Sequence, residues 1–121
     1  MKTYRDLMVW RKGIDFVTEI YRATKNFPQS EIYGLTSQLR RAAISIPSDI
    51  AEGYGRYSTL DYVRFLRMAV GSLFESQTHL EIAKNLGYLE NVAADKLGEM
   101  SREIERMISS LIKKLEVAKQ G

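Results

Sequence analysis

The sequence predicts an all-α protein, folded as a four-helix bundle in the antiparallel up-down-up-down arrangement. Apolar residues recur every three to four positions in four successive stretches, which is the spacing of a helix that buries one face. Strong turn residues separate these stretches, and no stretch alternates between apolar and polar residues as a strand does. Short connections between long helices favour neighbours that run in opposite directions. The 121 residues fit one domain, residues 1–121.

The first helix is expected to begin after Asp6, whose side chain can cap the free amides of the first turn. It should end before Pro28, because the residue preceding a proline is disfavoured in a helix. Its apolar stripe is predicted to be Leu7, Trp10, Ile14, Val17, Tyr21 and Thr24.

The second helix is expected to begin near Thr36, as its cap, and to end at Gly53. Pro47 lies inside it and removes one backbone hydrogen bond, so the helix should bend unless neighbouring packing compensates. The predicted apolar stripe is Leu39, Ala43, Ile46 and Ile50.

The third helix is expected to open at Ser58, to stop at Gly87 and to be the longest of the four. Gly71 and Ser76 within it are small enough to let a neighbouring helix approach closely. The fourth helix should begin near Asn91. The predicted stripes are Tyr62, Leu66, Ala69, Leu73, Leu80 and Ala83 on the third helix, and Leu97, Met100, Ile104, Met107, Leu111 and Leu115 on the fourth.

The composition excludes several classes of site. The chain has no cysteine, which rules out disulfides, zinc-thiolate sites and iron-sulfur clusters. No apolar run approaches the roughly 18 residues of a membrane span, and the first residues lack the apolar core of a signal peptide. We therefore expect a cytoplasmic protein without a membrane partner.

The chemistry-bearing residues do not form a catalytic or metal site. The single histidine, His79, follows Glu75 by four residues, so the two are expected to pair on one helical face. Di-metal centres in helical bundles need two Glu-x-x-His pairs, and no nucleophile motif accompanies this histidine. Gly53-x-Gly55 is better explained as a helix stop and turn than as a phosphate loop. No enzyme activity, cofactor or metal is predicted.

Basic residues concentrate in the first part of the chain. Residues 1–70 hold eleven basic and seven acidic side chains, whereas residues 71–121 hold seven and eight. Arginine suits phosphate because its planar guanidinium offers paired donors. The candidate nucleic-acid-binding residues on or beside the second and third helices are Arg40, Arg41, Arg56, Arg64 and Arg67. The alternative is that they form salt bridges within or between subunits, for example Arg64 with Asp61.

Aromatic and apolar residues suggest two further contacts. Tyr54 and Tyr57 could stack on exposed bases, or could anchor their loop on the bundle. The first and third helices also carry more apolar surface than one bundle seam requires, which predicts that another subunit covers it; the alternative is a wider stripe in a monomer. The residues in question are Val9, Phe16, Phe65, Val70, Phe74 and Ile82.

The run from Tyr33 to Arg56, YGLTSQLRRAAISIPSDIAEGYGR, resembles the signature of the four-helix bundle family named for 23S ribosomal RNA intervening-sequence proteins. Further matching segments extend the resemblance over about residues 4–88. It implies a homopentamer related to the accessory variability determinant proteins of diversity-generating retroelements, which bind nucleic acid through a basic surface and contact a reverse transcriptase. The family usually has asparagine where this chain has Asp49, and the added negative charge disfavours an anion contact there.

The sequence thus predicts a non-enzymatic homo-oligomer, a pentamer by resemblance. Its expected partners are RNA or DNA, bound weakly and without sequence specificity through a basic surface, or a nucleic-acid enzyme. The alternative function is a structural or protein–protein interaction module that does not bind nucleic acid.

Overall fold

The computed structural model describes the backbone of residues 3–120 and the side chains of residues 3–118, and this part of the chain is helical and without strands. Its α-helices are α1 (Met8–Thr24), α2 (Leu35–Tyr54), α3 (Thr59–Asn85) and α4 (Asn91–Gln120). Short 3-10 helices at Tyr4–Asp6 and Gln29–Glu31 precede α1 and α2. The all-α class is confirmed. The expectation that the third helix is the longest is wrong, because α4 has 30 residues and α3 has 27.

The four helices share one hydrophobic core, to which each contributes buried side chains. Each helix packs against the next one along the chain, and α4 also packs against α1. Single contacts show which parts of the helices lie side by side. Arg40 near the start of α2 touches Thr24 at the end of α1, and Gln77 of α3 touches Ser101 of α4. The arrangement is consistent with a helical bundle.

The buried stripe of α1 agrees with the predicted one only at Thr24 and at Leu7, which directly precedes the helix. Its buried residues are Val9, Gly13, Phe16, Ile20 and Thr24. Val9 and Phe16, which were expected to add apolar surface for another subunit to cover, therefore belong to the core of the chain itself. Ile14 and Tyr21, which were expected in the core, are exposed, and Trp10 is only half-buried. The helix is apolar on two adjacent stripes, and the stripe with Gly13 faces inward because a residue without Cβ lets α1 approach Pro47 closely. A Cβ built at Gly13 would lie 3.3 Å from Pro47 Cβ.

Two of the predicted helix caps are wrong. Asp6 does not cap α1; it belongs to the preceding 3-10 helix, where Thr3 N donates to its carboxylate and Arg5 N donates to Thr3 Oγ1. Thr36 lies inside the first turn of α2, buried, and its hydroxyl has no hydrogen-bond partner among the described residues. The Glu31 carboxylate instead accepts the Leu35 amide at 3.1 Å.

The predicted apolar stripe of α2 is confirmed, since all four residues are fully buried. The helix runs on through Pro47, packed against Gly13, and ends at Tyr54. Near this end α2 and α3 approach closely, because a Cβ at Gly53 would lie only 2.8 Å from Phe65 Cβ. No comparable approach occurs at Gly71, which is exposed with no atom within 4 Å of its Cβ position.

The predicted ends of α3 are confirmed. Ser58 caps it by accepting the Asp61 amide at 3.1 Å, and Gly87 follows it with a φ of 77°, a conformation that favours glycine. Its buried side includes Phe65, so this residue is not surplus surface, whereas Phe74 and Ile82 are exposed. On α4 the buried side includes Ile108 and Ile112, which the predicted stripe lacks.

Candidate nucleic-acid interface

The loop between α2 and α3 places an aromatic ring and several guanidinium groups at one corner of the molecule. Gly55 is the C-cap of α2 and Ser58 is the N-cap of α3, so Arg56 and Tyr57 lie in a short turn between the two helices. The Tyr57 side chain is fully exposed. Arg64 and Arg67 follow on α3, three residues apart, which places them side by side on the helix surface.

Phe65 positions two of these guanidinium groups. The guanidinium carbon of Arg56 lies 4.5 Å from the centre of the Phe65 ring and that of Arg64 lies 5.3 Å from it, both within cation–π range. Phe65 is itself fixed by the close approach of α2 and α3 at Gly53. The tight helix contact therefore determines where Arg56 and Arg64 present their charges. We call Arg56, Tyr57, Arg64 and Arg67 the arginine corner.

Each arginine of the corner also lies near one carboxylate. The separations are 3.9 Å for Arg56 and Glu52, 3.3 Å for Arg64 and Asp61, and 3.4 Å for Arg67 and Glu116. The pair between Arg64 and Asp61 is the one that the sequence spacing suggested. In all three pairs both side chains are substantially exposed. Such pairs contribute about 0–1 kcal/mol, so an incoming phosphate can replace the carboxylate at little cost.

Arg40 and Arg41 do not belong to this corner. Both lie on the first half of α2, and Arg41 is about 20 Å from the last residue of the helix at a rise of about 1.5 Å per residue. Arg40 is part of the internal packing, because its Nε donates to Thr24 Oγ1 at 2.8 Å and its guanidinium lies 4.4 Å from the Tyr21 ring centre. The five predicted residues thus do not form one continuous surface.

Arg41 faces a different environment. It lines a polar groove of about 440 Å³ between α2 and α3. The other residues that line this groove are Tyr33, Ser37, Gln38, Ala42, Ser45 and Glu75. Arg41 forms no ion pair with a described carboxylate, and the groove that it lines is separate from the arginine corner.

Burial near the corner changes the ionisation of two groups. Burial, with a smaller contribution from Tyr54, raises the pKa of Tyr62 to about 12. The rings of Tyr54 and Tyr62 lie edge to face, 6.1 Å apart, so Tyr54 anchors the end of α2 while Tyr57 stays free. Burial, and then the charge of Glu52, raises the pKa of Asp49. The carboxylate at position 49 is therefore less favourable in the folded protein than in water.

The acidic and histidine side chains of the described part of the chain do not cluster as metal ligands. Among these residues no group of three or more His, Cys, Asp or Glu side chains could hold a metal ion. The expected pair of Glu75 and His79 is absent, and His79 Nδ1 is buried without a hydrogen-bond partner in the described structure. Over the same residues, no helix combines the length and the apolar character needed to cross a membrane.

The sequence prediction missed Phe65, which it treated as surplus apolar surface. The residue joins Arg56 and Arg64 into one cluster because its ring is flanked by both. That Arg64 and Phe65 are consecutive in the sequence was only a weak indication that the ring contacts an arginine. That Arg56 reaches the same ring depends on the register between α2 and α3, which a single sequence does not display.

The fold and the surface together define a class, an all-α four-helix protein that presents an exposed cluster of arginines and a tyrosine. The chain belongs to the family of 23S rRNA-intervening sequence proteins, whose family model matches residues 5–110. It is similar in fold to a protein of unknown function from the S23 ribosomal protein family of Bacteroides thetaiotaomicron, solved by crystallography. The two share 24% identity and a TM-score of 0.79, over 88% of this chain and 99% of that one. No curated protein matches the chain.

Proposed function

We propose that this protein is a non-enzymatic oligomer of antiparallel up-down-up-down four-helix bundles that binds RNA or DNA weakly, without sequence specificity. The arginine corner is the proposed binding surface. The observation that carries the proposal is the placement of Arg56 and Arg64 over one buried ring, beside the fully exposed Tyr57.

The chemistry of the corner suits a flexible single strand. Guanidinium groups bind phosphate oxygens through paired donors, and an exposed tyrosine can stack on any base because every base has an aromatic face. These contacts do not read base edges, so sequence specificity is not expected. RNA is the first ligand to test, because the family is named for a ribosomal RNA segment.

Self-assembly would strengthen a weak site by repeating it. The homopentamer implied by the sequence resemblance would present five arginine corners and carry five times the net charge of +3 of one chain. Linked sites bind one strand more tightly than a single site does, provided that the strand can reach several of them. A nucleic-acid enzyme that holds the same strand is a further candidate partner.

The test is binding of fluorescent RNA and DNA oligonucleotides of the same sequence at 50 and 200 mM salt. Three phosphate contacts to a single strand predict a loss of about twentyfold in affinity over this range, and more if several subunits engage. The double variant Arg56→Gln, Arg64→Gln should weaken binding about tenfold or more and flatten its salt dependence. Arg102→Gln is the matched control, because Arg102 is an exposed arginine on α4, also paired with a carboxylate, outside the corner.

Two results would overturn the proposal. One is that the protein binds neither the RNA nor the DNA oligonucleotide at 50 mM salt. The other is a double variant that binds as tightly as the unmodified protein and with the same salt dependence.

A structural or protein–protein interaction module is the second candidate function. The observation that favours it is that Arg56, Arg64 and Arg67 each already lie within 4 Å of a carboxylate. In that case the same double variant should change the assembly state, measured by light scattering, and leave any nucleic-acid affinity unchanged.

A further inference from the structure

The connection between α1 and α2 encloses a small pocket of about 80 Å³. The pocket lies between the end of α1, the short 3-10 helix Gln29–Glu31 and the first two turns of α2. We call it the turn pocket; its lining is Thr24, Lys25, Phe27, Pro28, Gln29, Ile32, Thr36 and Arg40. Two of these residues are basic and none is acidic, so the pocket favours a negatively charged ligand.

Arg40 is held firmly at the wall of the turn pocket. Its Nε donates to Thr24 Oγ1 at 2.8 Å, and its guanidinium carbon lies 4.4 Å from the centre of the Tyr21 ring. Thr24 is buried and itself donates to Ile20 O at 2.8 Å, which fixes the position of the oxygen that Arg40 contacts. The two terminal nitrogens of Arg40 donate to no described residue. They remain as paired donors for another group.

The positive charges of the turn pocket are not compensated within the described structure. Its ion pairs involve neither Lys25 nor Arg40. Two cations that line one small space without a carboxylate repel each other. An anion placed between them would replace this repulsion by two attractions.

A hydroxyl without a partner is the third feature of the turn pocket. Thr36 lines the pocket and is only 5% exposed, and its Oγ1 is buried with no hydrogen bond to a described residue. Buried hydroxyls are nearly always paired, so an unpaired one indicates a group that completes it. An oxygen atom of a ligand in the pocket would accept the hydrogen bond that Thr36 does not make within the chain.

The volume of the turn pocket selects a small ligand. Pockets for drug-sized molecules have about 300–1,000 Å³, whereas this one equals the liquid volume of about two or three water molecules at about 30 Å³ each. It therefore suits a single ionic group and is too small for a nucleoside. Phe27, Pro28 and Ile32 add apolar lining, which limits water and strengthens the attraction between the charges.

We propose that the turn pocket binds a tetrahedral oxyanion of the phosphate type. The Arg40 guanidinium and the Lys25 ammonium hold its charge, and the Thr36 hydroxyl donates to one of its oxygens. The bound ion ties the connection to both helices and so stabilises the folded chain. Arg40 is near the start of α2 and the arginine corner is at its end, so this site does not depend on the proposed binding of nucleic acid.

Thermal unfolding in inorganic phosphate tests the site. Chloride is exchanged for phosphate up to about 10 mM at pH 7 and constant ionic strength. A dissociation constant of about 1 mM would raise Tm by about 5 °C over this range. Free phosphate and the terminal phosphate of a nucleotide share the same chemistry, and adenosine monophosphate distinguishes them. An equal shift shows that the pocket also accepts a terminal phosphate, and no shift shows that it takes the free ion; both agree with the proposal.

Thr36→Val should act differently in the two salts. In chloride the variant should be at least as stable as the unmodified protein, because valine has a similar shape and lacks the unpaired hydroxyl. In phosphate it should lose about half or more of the Tm shift, as should Lys25→Gln. Thr78→Val is the matched control, because the Thr78 hydroxyl lies on α3 outside the pocket and donates to Phe74 O. The control should keep the whole shift, including any general stabilisation of proteins by phosphate.

Three results would overturn the proposal. The first is an unmodified protein whose Tm does not rise in phosphate. The second is a full shift in both Thr36→Val and Lys25→Gln, since the ion would then act elsewhere on the protein. The third is a Thr36→Val protein that is less stable than the unmodified one in chloride, because the hydroxyl would then already be paired. Circular dichroism verifies that each variant is folded.

Discussion

Replacing Gly53 by alanine is expected to destabilise the protein, although alanine is the better helix former. In an exposed helix the change would contribute about 1 kcal/mol of stability. At Gly53, however, the new Cβ would lie 2.8 Å from Phe65 Cβ and 3.0 Å from Tyr62 Cδ1. Carbon atoms prefer about 3.5–4.0 Å, so α2 and α3 must move apart by several tenths of an ångström or more.

The magnitude follows from the competition of these two effects. Overpacking of this kind costs about 1–3 kcal/mol, which leaves a net loss of about 1 kcal/mol after the gain in helix propensity. Gly98→Ala on α4 is the matched control, because the atoms nearest to its Cβ would be those of the Arg102 guanidinium, an exposed group that can swing away. This variant should gain about 1 kcal/mol.

Urea unfolding followed by circular dichroism at one protein concentration measures both variants. The two should differ by about 2 kcal/mol in unfolding free energy, or about 8 °C in Tm for a chain of this size. A Gly53→Ala protein as stable as Gly98→Ala would refute the reasoning, since the helices could then separate without cost. The same variant should also weaken RNA binding, because Phe65 positions Arg56 and Arg64.

Three further predictions concern single side chains. Arg40→Ala should lower the unfolding free energy by about 1–2 kcal/mol through its lost contacts with Thr24 and Tyr21, whereas Arg41→Ala should change it by less than about 0.5 kcal/mol. Asp49→Asn should stabilise the protein by about 0.5 kcal/mol at pH 7 and not at pH 3. Because folding raises the pKa of Asp49, the unmodified protein loses stability as rising pH ionises this group; an equal effect at both pH values would contradict that cause. Tyr62, with its pKa raised to about 12, should be among the last tyrosines to ionise, so stability should fall as pH rises above about 10, and Tyr62→Phe should reduce this loss in alkaline unfolding measurements.

Much of the fold follows from local sequence. The wrongly predicted buried side of α1 is a feature that local sequence does not determine. Ser58 and Gly87 mark the ends of α3 because capping and positive φ depend on the residue itself. The inward side of α1 depends instead on which of two apolar stripes packs better. Trp10 and Ile14 are apolar like the buried Phe16, so apolar character does not choose between the stripes, whereas Gly13 on the inward stripe allows the close approach of α1 to Pro47.

The candidate binding surface was predictable by residue type but not by grouping. Arginines near the end of α2 and the start of α3 were singled out, and three of them meet at one corner. Arg40 was wrongly included among the binding residues of this surface. Its contact with Thr24 joins residues 16 positions apart, and the spacing along one helix does not reveal such a contact. Phe65 was misjudged because its burial depends on the absence of a side chain at Gly53.

The contact between Gly13 and Pro47 links the evolution of two distant positions. With 3.3 Å between the Pro47 ring and a Cβ built at position 13, there is little room for a larger residue unless the proline is replaced as well. Relatives that carry a side chain at the first position should therefore have lost the ring at the second. The amino acids at the two positions would then change together across an alignment of the family, and this pairing would identify the α1–α2 register without any coordinates.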